Sequence, residues 1–83
     1  TEIAGVPLVS AGLLDDPEGQ YTLVAESVGE NYRKLLFDDD RLIGLLFLGK
    51  IDRAGVYVNM IRNRLPLGER RDAVIREVMS GIT

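Results

Sequence analysis

A chain of 83 residues, 46% apolar and 28% charged with a formal net charge of −3, describes one small globular domain. Cysteine and histidine are both absent, which removes disulfides, thiolate sites, and the commonest general base and metal ligand. The acidic balance argues against nucleic acid or a membrane surface as partner, no apolar run approaches the ~18 residues of a membrane span, and no signal-peptide pattern is present, so cytoplasmic material is expected.

The chain starts at Thr1 rather than methionine and enters apolar sequence at once with Ile3, Val6, Leu8 and Val9. A piece cut from a longer polypeptide is the expectation. Ile3 to Ala11 suits a short strand or an extended lead-in, and Pro7, which cannot donate to a ladder, assigns it to an edge or an irregular path. After Leu13 and Leu14, the run Asp15-Asp16-Pro17-Glu18-Gly19 carries strong turn chemistry. Gln20 to Glu26 alternates Tyr21, Leu23 and Ala25 against Thr22, Val24 and Glu26, the period of a half-buried strand. Gly29 and Asn31 break it. Tyr32 to Phe37 predicts the next strand, with Arg33 and Lys34 near an exposed end, and Asp38-Asp39-Asp40 turns the chain.

The stretch from Arg41 to Asn63 organises the rest. Leu42, Ile43, Leu45, Leu46, Phe47 and Leu48 form an apolar run broken only by Gly44, as in a strand covered on both faces. Gly49 and Lys50 stop it, and Asp52 is placed to cap a helix with its carboxylate. Ala54, Val58, Ile61 and Leu65 then recur on one face of a helix from about Arg53 to Arg64, which Pro66 ends. Leu67-Gly68 links to a second helix from about Glu69 or Arg70 to Ser80, with Val74 and Val78 on one stripe, Ile75 and Met79 beside it, and Gly81 as the expected C-terminal cap. Short loops between the strands dictate antiparallel neighbours. The predicted fold class is α+β, an antiparallel meander of three to four strands followed by two helices in two layers, forming a single domain over 1–83.

Candidate chemistry is sparse. The acidic triplet at 38–40 has hard-cation oxygens but lacks the spread ligands of a calcium loop, so a solvated turn explains it better. Asp15, Asp16 and Glu18 read the same way. Gly44 and Gly49 match neither phosphate-loop spacing and sit inside and at the end of a strand, which suits close packing over a missing side chain. Anion binding at the helix start is opposed by the Asp52 carboxylate. Arg62, Arg64, Arg70 and Arg71 gather around the helix link, either as a solvated, partly ion-paired surface or as a docking patch. Tyr57 and Met60 suit core packing better than an interface stripe. No serine has a histidine base, and no carboxylate pair is placed for acid–base work.

The residues YRKLLFDDDRLIGLLFLGKIDRAGVYVNMIRNRLPL resemble the C-terminal domain of FAD-dependent pyridine nucleotide-disulfide oxidoreductases of the NADH:rubredoxin reductase and NAD(P)H-nitrite reductase type. The likeness lies in Tyr32 to Leu35, the turn Asp38 to Asp40, Gly44 with Gly49, Asp52 to Gly55, and Ile61-Arg62 before Pro66. It is close from Tyr32 to Leu67 and looser upstream through Val9 to Gly12. The resemblance implies a non-catalytic packing or interface domain whose parent carries FAD and NAD(P)H on two preceding nucleotide-binding domains. Those domains are the implied partners, with a homodimer interface as a further implication. No catalytic, cofactor-binding or metal residue is carried over; Gly44, Gly49, Asp52, Gly55, Arg62 and Arg64 are the structural or interface candidates. Rubredoxin, nitrite-reducing centres, oxygen and other small carriers all stay open as the parent's electron acceptor. A free-standing small-molecule-sensing or protein-interaction module is the alternative.

Overall fold

The apolar run becomes the middle of a sheet. The computed structural model describes residues 2–82, so Thr1 and Thr83 lie outside it. The strands are β1 (Glu2–Ile3), β2 (Val6–Gly12), β3 (Thr22–Val28), β4 (Asn31–Asp38) and β5 (Arg41–Leu48). Helix α1 (Ala54–Arg62), a 3-10 turn (Gly68–Arg70) and helix α2 (Arg71–Ser80) follow. The sheet order is β1-β2-β5-β4-β3 and every neighbouring pair is antiparallel.

The α+β class holds, and β3, β4 and β5 form the expected meander. The β3–β4 and β4–β5 hairpins close on tight turns in which Gly29 (φ 59°) and Asp39 (φ 57°) take positive φ, a conformation that glycine and aspartate tolerate best. The other flank departs from the sequence reading. β2 runs fully paired along β5, from Leu8 opposite Leu48 to Gly12 opposite Gly44. Pro7 does not demote it, because it sits at the strand start beyond those pairs, where its carbonyl accepts from Gly49 N–H at 2.9 Å.

Both helices pack on one face. Leu35, Phe37, Leu42, Leu45 and Phe47 meet Ala54, Tyr57, Leu67, Val74 and Val78 in a single buried cluster. α1 lies over β5 and β2, and α2 over β3 and β4. The edge-to-face pair of Phe47 and Tyr57, centroids 5.9 Å apart, joins sheet to helix at its centre. Leu45→Ala is expected to cost about 2–5 kcal/mol in chemical denaturation, since Leu45 is 1% exposed in this cluster.

The opposite face is covered at one end only. The link from Leu13 to Tyr21 carries the chain from β2, beside β5, to β3 at the far edge. Leu13 N–H donates to Ile43 O at 2.9 Å, and Leu36, which pairs with Gly44, is fully buried. Further along, Leu46 and Leu48 are half-exposed. The expectation of a strand buried on both faces therefore holds at the Gly44 end and fails at the Leu48 end.

The start of α1 also differs from expectation. Asp52 does not cap it; the cap position is Arg53, left-handed at φ 64°, and no side chain bonds the helix start. Backbone carbonyls do the work, Ile51 O taking Ala54 N–H and Arg53 O taking Val56 N–H at 3.1 and 3.0 Å. Because α1 ends at Arg62, Leu65 falls off its face and is 41% exposed; the residues it buries fully are Ala54 and Tyr57.

Candidate functional site

Arg33 is the first departure at the level of side chains. The sequence pattern puts it near an exposed end, yet it is 3% exposed. Its Nη1 donates to Val78 O at 2.8 Å, its Nε and Nη2 donate to Lys50 O, and its guanidinium lies 4.4 Å from the centroid of the Phe47 ring. Three donors, two carbonyls and an aromatic face hold the cation. The signal was present in the alternation: Arg33 shares the strand face of Leu35 and Phe37, and that is the face the helices cover. The same guanidinium explains Gly81. This glycine is not a left-handed cap (φ −73°), and a methyl group there would lie 2.7 Å from Arg33 Nη1.

Beside it, Tyr57 donates its hydroxyl to Glu77 Oε1, and Arg53 Nη2 sits 3.4 Å from the same oxygen. Burial, and then the Glu77 carboxylate, push the Tyr57 hydroxyl up from 10.0 to about 12. The fold therefore holds this proton more tightly than the unfolded chain does. The resulting stability is fully present below pH 10 and is lost as the pH rises towards about 12. Denaturation at about pH 9 and about pH 11.5 checks this: Tyr57→Phe should lose less stability than the parent chain over that interval.

The acidic triplet is divided among structural tasks. Asp40 O accepts Leu67 N–H at 3.0 Å and Asp40 Oδ2 accepts Gly68 N–H at 2.9 Å, which ties the helix link to the β4–β5 hairpin. Asp39 O accepts from Arg71 Nη1 at 2.8 Å. Asp16 likewise closes its own turn, accepting from the backbone N–H groups of Gln20 and Tyr21. Among the described residues no group of three or more His, Cys, Asp or Glu is placed to hold a metal ion, and no helix is long and apolar enough to cross a membrane.

The arginine cluster splits in two. Arg71 turns inward, over the Phe37 ring at 5.7 Å, and bonds the hairpin. Arg62 and Arg64 instead join Arg41, a residue the sequence reading did not group with them. With Asp38, Leu42, Ile43 and Ile61 they line an open groove of about 530 Å³. The walls are set by the backbone: Arg41 and Pro66 form a β-bridge, and Arg64, at φ 52°, turns the chain back after α1. A left-handed arginine costs on the order of 1–2 kcal/mol, which the tertiary bonds around it must offset.

Of the other candidates, Gly44 lies directly under the Leu13 carbonyl, and Gly49 (φ 87°) lies against Asn31, whose Oδ1 a methyl group would approach to 2.3 Å. Gly55 faces open space, and Asp52 is an exposed turn residue. The structure does not gather these six positions into one site.

The family model of the rubredoxin NAD+ reductase C-terminal domain matches residues 2–65. The chain belongs to that family. No curated protein and no solved structure matches it. The match takes in the whole of β1 to β3, where the resemblance to the reductases was looser, and continues through β5 and α1. All three groove arginines lie within the stretch that the family model matches. The 3-10 turn and α2 lie beyond it, held to the sheet through Arg33, Asn31 and Asp40.

Proposed function

We propose that this domain is the C-terminal packing domain of a FAD-dependent NAD(P)H oxidoreductase, seated against the nucleotide-binding domains of its own chain. Those domains carry FAD and NAD(P)H, and the electrons pass to an acceptor of the rubredoxin- or nitrite-reductase type. Family membership supports the reading, and one structural observation carries it. The sheet face away from the helices presents Leu8, Leu46, Leu48 and Tyr32 half-exposed around Ser10 and Lys34, with Leu23 49% exposed on β3 and Leu13 44% exposed at the start of the crossing link. A largely apolar sheet face left open in this way is what a neighbouring domain covers.

The coding sequence upstream of Thr1 tests it. About 300 further residues carrying two G-x-G-x-x-G fingerprints, each after a strand and before a helix, are expected. A start codon within a few residues of Thr1 would overturn the proposal. In the long chain, Leu46→Glu is expected to lower the thermal midpoint of this domain by several degrees, about 4–8 °C per kcal/mol for domains of 60–100 residues, by placing a charge in the domain seam.

A further inference from the structure

We infer that the groove between the β4–β5 hairpin and the end of α1 docks an acidic surface of a partner protein, with Arg41, Arg62 and Arg64 taking its carboxylates. The chain has 13 acidic side chains against 10 basic ones. Buried or half-buried arginines find acceptors here: Arg33 on two carbonyls, Arg71 on Asp39 O. The side chains of the three groove arginines make no hydrogen bond or ion pair among the described residues. Three arginines therefore line one groove with a single carboxylate (Asp38) among its walls, on a chain that had acids to spare.

Guanidinium forks match carboxylates in a paired, planar geometry. Beneath them Leu42, Ile43 and Ile61 supply apolar surface, so the groove offers both an apolar contact and charge, as a protein interface does. The groove is open to solvent, which leaves room for a protein surface to enter it. Nucleic acid is disfavoured by the net charge of −3. The bridge of Arg41 to Pro66 and the bonds of Leu67 and Gly68 to Asp40 hold the walls in place before any partner arrives.

Fluorescence anisotropy with a short labelled peptide of glutamates and leucines, on the chain as it stands, tests the inference. The parent chain should bind it, and binding should weaken several-fold as ionic strength rises from ~0.05 to ~0.5 M. The double variant R62E/R64E should bind about tenfold more weakly or worse, with an unchanged circular dichroism spectrum because both residues are exposed. D38N should bind more tightly, by about two- to threefold, a gain that a misfolded variant cannot produce. Equal affinity for the parent chain and R62E/R64E, or no binding at millimolar peptide, overturns the inference. So does full competition by micromolar pyrophosphate, which would make the groove a phosphate site, or tighter binding of a single-stranded DNA of equal charge. The inference does not rest on the domain-packing reading, and none of these outcomes bears on the sequence upstream of Thr1.

Discussion

Arg33→Met is expected to destabilise this domain by about 2–4 kcal/mol, a large part of the ~4–12 kcal/mol such a chain commands. Methionine keeps much of the apolar stem, so packing against Phe47 largely survives. What is lost is the set of donors. Val78 O loses its charged partner inside the core, where a buried acceptor left unpaired costs about 1–3 kcal/mol, and Lys50 O loses one at the core's edge. Removing a buried guanidinium also removes its desolvation penalty, which works the other way. The loss is expected to win because the cation is already solvated by carbonyls and a ring rather than by one fragile ion pair. Chemical denaturation reads the size of the effect, and amide exchange reads its location: protection should fall first at the end of α2. An unchanged unfolding midpoint would show that Arg33 is a passenger in the core.

Gly44→Ala carries the second large effect. An added methyl group would stand 1.6 Å from the Leu13 carbonyl oxygen and 2.7 Å from its carbon. No rotamer relieves this, because the collision is between a Cβ and backbone. The link must lift from the sheet, breaking the Leu13 to Ile43 bond and uncovering Leu36. A cost of about 2–4 kcal/mol follows, with increased proteolysis within the link from Leu13 to Tyr21. Gly55→Ala is the matched control. Nothing lies within 4 Å of a methyl group there, and Gly55 is in the first turn of α1, so alanine should raise stability by about 0.5–1 kcal/mol. If the two substitutions behaved alike, backbone crowding at Gly44 would be the wrong explanation.

Read for periodicity, the sequence placed the elements well and the side chains less well. The alternation at Gln20 to Glu26 and Tyr32 to Phe37, the acidic turn and the apolar run from Leu42 each became the expected strand or turn, with limits shifted by about two residues. Asp52 misled because a carboxylate before a helical pattern is the usual cap. Here the left-handed Arg53 intervenes, and backbone groups satisfy the first turn. Leu65 misled because the spacing fits a helix that in fact stops at Arg62.

The groove was half legible. Arg62 and Arg64 stood out near Pro66, but Arg41 is 21 residues away in sequence and joins them only because β5 and the loop after α1 are bridged through Pro66. Arg71 bonds Asp39 O instead, and Arg70 is not among the groove's lining residues, because the helix link turns on Asp40. By itself the sequence determined what local chemistry can determine: the two periodicities, the turns, an α+β class, and the lack of histidine and cysteine. Tertiary structure alone decided that β2 pairs with β5 and that Arg33 is buried beneath α2. It also decided that the link crosses Gly44 and which arginines share a groove. Each of these depends on contacts between residues far apart in the chain, and the free energy of such a contact is set by the partner that folding brings to it, which no window of neighbouring residues contains.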